Sequence, residues 1–325
     1  MRNHCSPNFN KKINGTEDLI RGCNMFSIPD FPTFLQHLAN GISLASLYAL
    51  IAIGYTMVYG ILRLINFAHG DIFMMSAYFA FYAMATFTMP WYISFLVAII
   101  LTGLLGILVE RAAYRPIRNA PKISILISAI GASFLLENLA IVIFGGIPKP
   151  FPQVELFTKV IKIGGVTLQR LTIIIPIITI IILIVLLYLI NKTKIGMAMR
   201  AVSKDYETSA LMGININRTI SITFGLGSIL AAVGGLMWSS KFPNLMPLMG
   251  VMPGLKCFIA AVIGGIGDVK GAVVGGFVLG VGEIMLVAFM PGLSGYRDAF
   301  AFIVLIIILL FKPTGIMGEK IAEKV

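Results

Sequence analysis

A run of polar residues separates two long apolar stretches in the first quarter of the chain. It reads GILRLINFAHGD and contains Asn66, His69, Gly70 and Asp71. Polar and charged groups are costly at membrane depth and usually face a cavity or a partner. Irregular backbone is tolerated there only where protein or water covers it. The run therefore predicts either a break between spans that lines a translocation path, or a short cytoplasmic turn in which Asp71 caps the next helix.

Three further polar side chains, Glu137, Asn138 and Glu283, interrupt apolar stretches. A carboxylate within a span indicates a functional site, here a substrate path or a gate, although polar groups also hold neighbouring helices together. His69, Asp71 and Glu137 could in principle serve acid–base chemistry. The sequence offers them no nucleophile and no metal-ligand spacing, so we expect no enzymatic activity, no metal site and no cofactor.

A polar segment between two apolar stretches has the features of a short exposed helix. In RAVSKDYETSALMG, Ser203 is expected to cap the helix, acidic residues occupy its first turn and Gly213 follows its end. Its apolar residues form a small surface that favours docking to a cytoplasmic protein, the alternative being a helix that lies on lipid headgroups. The predicted docking residues are Ser203, Asp205, Glu207, Ala210, Leu211, Met212 and Gly213.

Glycines are dense in AVIGGIGDVKGAVVGG. The segment lacks the G-x-x-x-x-G-K-[ST] pattern of phosphate-binding loops, so nucleotide binding is not expected. Gly271 and Gly275 are four residues apart, a spacing that lets helix backbones approach closely. The segment predicts helix packing or a re-entrant bend, formed by Gly264, Gly265, Gly267, Gly271, Gly275 and Gly276.

The composition indicates an all-α, polytopic integral membrane protein. The 325 residues are 58% hydrophobic and only 12% charged, and the mean hydropathy is +0.93. The net charge of +11 could suggest nucleic-acid binding. The basic residues instead form short patches between apolar stretches, as cytoplasmic loops of membrane proteins do, and nucleic acid is excluded as a partner.

Hydropathy predicts about eight membrane spans within a transmembrane domain at 34–318, with polar tails at 1–33 and 319–325. The uncharged stretch 72–109 is too long for one helix and divides at Met89-Pro90-Trp91. The stretch 255–267 is either a re-entrant segment or a ninth span. Basic loops at 110–122 and 191–218 indicate the cytoplasmic side, whereas the N-terminal tail is placed outside by the span count and inside by its own basic residues. The predicted spans are 38–62, two within 72–109, 123–145, 171–190, 219–239, 271–290 and 299–312.

Several motifs together resemble the LivH-type permeases of branched-chain amino-acid ABC transporters. The signature YGILRLINFAHGDIFMMSAYF is similar to the N-terminal motif of that family, and NGISLASLYALIAIGYTMVYG to its first span. RAVSKDYETSALMGININR is similar to its cytoplasmic coupling loop, and GGIGDVKGAVVGG and FKPTGIMG to its C-terminal motifs. The motifs occur in the same order as in the family, and together they cover about residues 36–318.

The resemblance implies an all-helical subunit of the cell membrane that pairs with a second, related permease. Two cytoplasmic ATPases would supply ATP hydrolysis through the coupling loop, and an extracytoplasmic binding protein would deliver leucine, isoleucine or valine. Permeases for urea and short amides are very similar, so the motifs leave the substrate open between these classes. A stand-alone, ion-driven transporter is the alternative from another class.

Overall fold

The computed structural model describes residues 29–163 and 165–318. Most of the predicted N-terminal tail, with Cys5 and Cys23, and the predicted tail 319–325 lie outside the described residues. The first helix begins at Phe31, three residues before the predicted domain boundary. Asp30 precedes this helix and Pro32 lies in its first turn, where a missing N–H costs little.

Within the described residues the chain is mainly helical, which confirms the all-α prediction. Residues 110–114 continue α3 as a π-helical turn, and a 3₁₀ turn, Pro291–Tyr296, leads into the last helix. The α-helices are α1 (Phe31–Leu62), α2 (His69–Ala85), α3 (Trp91–Val109), α4 (Lys122–Phe144), α5 (Glu155–Thr158), α6 (Arg170–Lys192), α7 (Lys194–Lys204), α8 (Tyr206–Leu211), α9 (Ile216–Lys241), α10 (Val251–Gly264), α11 (Val269–Phe289) and α12 (Arg297–Phe311).

Two short antiparallel ladders lie between the helices at one face of the protein. Strand β1 (Lys149–Pro150) pairs with β4 (Asn244–Leu245), and β2 (Val160–Ile163) forms a hairpin with β3 (Val166–Gln169). The Lys149 ammonium donates a hydrogen bond of 2.7 Å to the Tyr82 hydroxyl near the end of α2. The ladders thereby hold the loops between α4, α6 and α9 against this end of the helix bundle.

Seven helices of the described chain are long and apolar enough to cross a membrane. The division of 72–109 into two helices is confirmed, because α2 ends at Ala85 and α3 begins at Trp91. Helix α2, which hydropathy predicts as an eighth span, has 17 residues, or about 26 Å at 1.5 Å per residue, and is not among these seven. Helix α10 has only 14 residues, or about 21 Å at 1.5 Å per residue, which is too short for a ninth full span.

Glycines allow α1, α10 and α11 to pack at backbone distance. A methyl group on Gly276 would lie 2.6 Å from the Ala49 nitrogen of α1, and one on Gly280 would overlap the backbone of Ala45. A methyl group on Gly275 would overlap the Ala260 carbonyl of α10. Close approach of this kind replaces the hydrophobic effect as the packing force between helices in lipid.

The start of α1 lies at the same face of the bundle as 146–170. The Thr172 hydroxyl at the beginning of α6 lies 3.5 Å from the Asn40 amide oxygen of α1. The Lys241 ammonium at the end of α9 donates to the Ser43 hydroxyl at 2.8 Å. The described beginning of the chain is therefore opposite the basic loops, as the span count predicts.

Candidate functional site: a cavity where two helices begin inside the bundle

The polar run between α1 and α2 folds back into the bundle. Helix α1 ends at Leu62, and Arg63 adopts a left-handed conformation with φ of 53°. The chain then returns, and α2 starts with His69 packed against Gly54, where a methyl group would lie 2.7 Å from His69 Nε2. Gly54 precedes the end of α1 by eight residues, so α2 begins about 12 Å back from that end.

Helix α10 begins next to the first turn of α2. A methyl group on Gly254 would lie 2.9 Å from the Gly70 α-carbon, and one on Gly250 would overlap the Gly70 carbonyl oxygen. From this crossing α2 runs toward the strand-bearing face, and α10 runs toward the opposite face. Two partial helices thus meet with their N-termini inside the protein, an arrangement found at substrate sites of other transporters.

A cavity of about 90 Å³ lies where α2, α4 and α10 meet. A single water needs roughly 10–15 Å³, so the cavity holds several waters or a small molecule. Asp71 accepts a hydrogen bond from the Ser133 hydroxyl of α4, and Glu137 follows one turn later on the same helix. The lining residues are Tyr55, Ile65, Phe67, Gly70, Asp71, Ser133, Glu137, Gly250, Val251, Gly254, Leu255 and Phe258.

The predicted residues of the polar run occupy different places around this cavity. Gly70 and Asp71 line it. Asn66 is buried, accepts a hydrogen bond of 2.7 Å from Tyr114, and faces a smaller neighbouring cavity. His69 is fully buried, with its ring centroid 4.3 Å from that of Tyr55, so it supports the cavity wall from behind.

The other predicted residues of a substrate path do not all join Asp71. Glu137 does, but Asn138 is exposed on another face of α4, where its amide donates to the Phe134 carbonyl, because successive helix residues point about 100° apart. Glu283 lies in a separate cavity nearer the strand-bearing face. There it accepts hydrogen bonds from Tyr48 and Lys256 at 2.9 and 3.0 Å. Asn138 and Glu283 therefore do not line the cavity at Asp71, and their assignment to a substrate path or a gate stays a prediction.

Sequence reasoning missed three residues that shape the cavity. Ser133 precedes Glu137 by four positions and so lies on the same face of a helix, a spacing that was available in the sequence. Gly250 and Gly254 have the same spacing and are the glycines that admit Gly70 to the start of α10. No local feature of the sequence indicates that these two segments meet.

The predicted docking helix is present as α8, and its cap differs from the prediction. Asp205, not Ser203, caps it, with its carboxylate accepting from the backbone N–H groups of Glu207 and Thr208. Ser203 instead lies in the last turn of α7, where its hydroxyl donates to the Arg200 carbonyl. Gly213 follows the helix with φ of 81°. Ala210 is exposed, and the side chains of Leu211 and Met212 are 88% and 79% exposed.

Helix α8 is joined to the end of α1 through a tyrosine. The Tyr206 hydroxyl donates to the carbonyl oxygen of Ile61, next to the point where the chain turns back toward the cavity. Burial raises the pKa of Tyr206 above its ordinary value, against the lowering effect of Arg118 and Arg63. The hydroxyl therefore keeps its proton, and can donate, across the physiological pH range.

A largely buried ion pair lies at the face of the bundle that contains α8 and the end of α1. The Glu110 carboxylate in the π-helical turn lies 2.7 Å from the Arg118 guanidinium and accepts a 2.6 Å hydrogen bond from Ser221 of α9. Arg118 also donates to Asn217 at 2.8 Å. These bonds hold the end of α3 against the start of α9, next to the segment that contains α8.

The glycine-rich segment lies at this face as well. Gly264 ends α10 in contact with the backbone of Gly271 in α11. Gly265 and Gly267 have φ values of 110° and 103°, which a side chain would disfavour, and they form the bend between the two helices. Backbone bonds of 2.8 Å from Ile316 and Met317 to Ile263 and Gly264 close the bend against the chain's last described residues.

Comparison with known proteins identifies the family. Residues 37–309 match the family model described as branched-chain amino acid transport system / permease component. The chain belongs to this permease family. It is a multi-pass membrane protein, and the resemblance noted in the sequence is confirmed.

Relatives in this family align along nearly their whole length. The permease protein LivH of the high-affinity branched-chain amino acid transport system of Salmonella typhimurium is 39% identical over 308 residues, covering 91% of this chain and 99% of that one. The corresponding BraD protein of Pseudomonas aeruginosa is 40% identical over 311 residues, covering 92% and 100%. A probable LivH permease of Methanocaldococcus jannaschii is 27% identical, covering 86% and 91%.

Proposed function

We propose that this chain is the transmembrane permease subunit of an ATP-driven importer and that it carries leucine, isoleucine and valine across the cell membrane. Membership of the permease family and the names of the LivH and BraD relatives support this function. The observation that carries it is the cavity at Asp71, Ser133 and Glu137, held between two helices that begin inside the bundle. A cavity at membrane depth with two carboxylates on a largely apolar wall suits a small substrate that carries a polar group.

The proposed partners are a second related permease, two cytoplasmic ATPases and an extracytoplasmic binding protein. Leu211 and Met212 form an exposed apolar tip on α8 that suits a groove on an ATPase. Motion of α8 would be transmitted to the end of α1 through the hydrogen bond from Tyr206 to Ile61. It would then be transmitted along the segment that connects α1 with Asp71. ATP-bound and ATP-free states would then differ in their contacts with α8, which is what a shift between two access states requires.

Uptake of labelled leucine tests this function. Cells that lack the chain but retain its partner subunits should lose leucine uptake, and the cloned chain should restore it. Depletion of ATP with the ion gradients held constant should abolish the restored uptake. Uptake that survives ATP depletion would support an ion-driven transporter, and restored uptake of urea or short amides without leucine would support the other substrate class.

A further inference from the structure

The lining of the cavity between α2, α4 and α10 contains two carboxylates and, among the described residues, no basic side chain. The Asp71 side chain is buried, with the whole residue 2% exposed. Its carboxylate accepts from Ser133, a neutral hydroxyl. Among the described residues, neither Asp71 nor Glu137 takes part in an ion pair. A carboxylate held inside a membrane protein is costly unless a positive group or a proton compensates it.

Aromatic rings line the same cavity. Tyr55, Phe67 and Phe258 contribute to its wall, and the Phe258 centroid lies 6.2 Å from that of Tyr55 and 6.5 Å from that of Phe67. Ring faces attract ammonium groups, most strongly where water is excluded. Carboxylates and aromatic faces in one small cavity are a combination that suits an organic ammonium group.

A free hydrogen-bond donor lies in the adjoining cavity. The Asn66 side chain bonds to Tyr114 through its oxygen, and its amide nitrogen has no partner in the described structure. Asn66 is 2% exposed and lines a small cavity that shares Tyr55, Ile65 and Phe258 with the first one. A buried donor left without an acceptor is destabilising, and a bound carboxylate would satisfy it.

We propose that the two adjoining cavities bind the zwitterionic end of an amino acid. Asp71 and Glu137 hold its ammonium group among the aromatic rings, and the Asn66 amide donates to its carboxylate. The proposal rests on the proposed function and adds what that function leaves open: the groups by which the substrate is recognised. It also separates amino acids from urea and short amides, which carry no ammonium group.

The test compares leucine with its analogue 2-hydroxy-4-methylpentanoate, which has a hydroxyl in place of the ammonium group. The assay uses the whole transport complex in proteoliposomes that contain ATP. For Glu137→Gln, KM for leucine should rise about 10- to 100-fold, the value of a hydrogen bond to a charged group. The analogue should compete poorly with leucine for the unaltered complex. It should compete no worse with leucine for the Glu137→Gln variant. Leu135→Gln, an exposed position on the same helix, is the matched control.

Two further variants keep the test decisive. Asp71→Asn should raise KM at least as much as Glu137→Gln, and its folding is checked by co-purification with the partner subunits. If Asp71→Asn does not assemble, Glu137→Gln and Asn66→Ala carry the test alone. For Asn66→Ala, affinity should fall for leucine but not for leucinamide, a competitor without the carboxylate.

The outcomes separate this proposal from the proposed function. Leucine transport by the unaltered complex with the same KM in Glu137→Gln and Asn66→Ala would overturn the proposal and leave the function standing. A sodium requirement that disappears in Glu137→Gln would overturn it in favour of an inorganic cation. An unaltered complex that does not transport leucine would instead count against the proposed function.

Discussion

At the scale of single residues, charged side chains stand in two kinds of environment. Asp71 and Glu137 at the cavity have no basic partner among the described residues. Glu283, in contrast, lies close to two basic side chains. Its carboxylate lies 3.0 Å from the Lys256 ammonium and 3.7 Å from the Arg297 guanidinium, and Lys256 also lies 2.6 Å from Asp298. This cluster joins α10, α11 and α12, so we interpret Glu283 as a structural residue rather than part of the path.

Lys256→Met tests that interpretation. The change leaves the buried Glu283 with the Tyr48 hydroxyl and, as a basic partner, the more distant Arg297. Removal of one partner from a buried ion pair typically costs about 3–5 kcal/mol. We expect a lower melting temperature of the detergent-solubilised complex, measured by fluorescence-detected size exclusion. The double variant Lys256→Met with Glu283→Gln should recover part of the loss. Equal melting temperatures for the single variant and the unaltered protein would contradict a structural role.

At the scale of elements, the short helix α8 combines a firm base with an exposed tip. Asp205 caps its start, Ser209 is buried, and Tyr206 reaches Ile61 at the end of α1. The tip at Leu211 lies in solvent, where an apolar side chain gains nothing until a partner covers it. An element held at its base and exposed at its tip is suited to transmit movement from a partner.

Leu211→Asp should weaken binding of the ATPase subunits. A charge at the centre of an apolar contact loses burial and requires desolvation, which at well-buried contact residues costs about 2 kcal/mol or more, or roughly thirtyfold in affinity. The measurement is co-purification of the ATPases with the tagged permease. Leu156→Asp, an exposed leucine on the strand-bearing face, is the control. Full ATPase recovery with Leu211→Asp would exclude docking at this tip.

Tyr206→Phe addresses the link from α8 to α1 separately. The change removes one hydroxyl and leaves the ring, so we expect ATPase binding to persist while leucine transport per ATP hydrolysed falls several-fold. The ratio of transport to hydrolysis in proteoliposomes measures this. Because burial raises the pKa of Tyr206, the bond stays intact up to its ordinary titration range and beyond, and transport should show no Tyr206-dependent loss between pH 6 and 9. A transport ratio equal to that of the unaltered protein would show that the bond is not part of the coupling.

At the scale of the whole molecule, the bundle has two distinct faces. One carries the start of α1 and both strand ladders, and the other carries the π-helical turn, α7, α8 and the bend at Gly265. Basic residues are concentrated in the loops of the second face, and the charge bias of membrane loops therefore predicts that this face is cytoplasmic. The cavity lies between these faces, where a substrate path needs its binding site.

Labelling of introduced cysteines checks this orientation. In a variant whose three native cysteines are replaced, Met212→Cys should react with a membrane-impermeant maleimide only after the cytoplasmic side is opened. Leu156→Cys, on the strand-bearing face, should react in intact cells. The reverse pattern would invert the assigned topology.

Composition, hydropathy and motifs were sufficient to predict the class of protein, the approximate spans and the family. Apolar stretches of about twenty residues have few alternatives to membrane helices, and the motif around NFAHGD is carried by contiguous residues. The break before α2 was one of the two alternatives that the polar run allowed, because polar groups at depth require a cavity or a partner. These conclusions depend on the chemistry of residues that are neighbours in the sequence.

The tertiary structure alone decided which polar residues meet. Lipid and protein interior are both apolar, so the periodicity of a membrane helix does not show which face is buried. The rotation of α4, which turns Ser133 and Glu137 toward Asp71 and leaves Asn138 outside, depends on packing between segments distant in sequence. The meeting of Gly70 with Gly254 depends equally on backbone contact between two such segments. Close packing decided the site because each of these contacts is satisfied only when all the surrounding helices are in place.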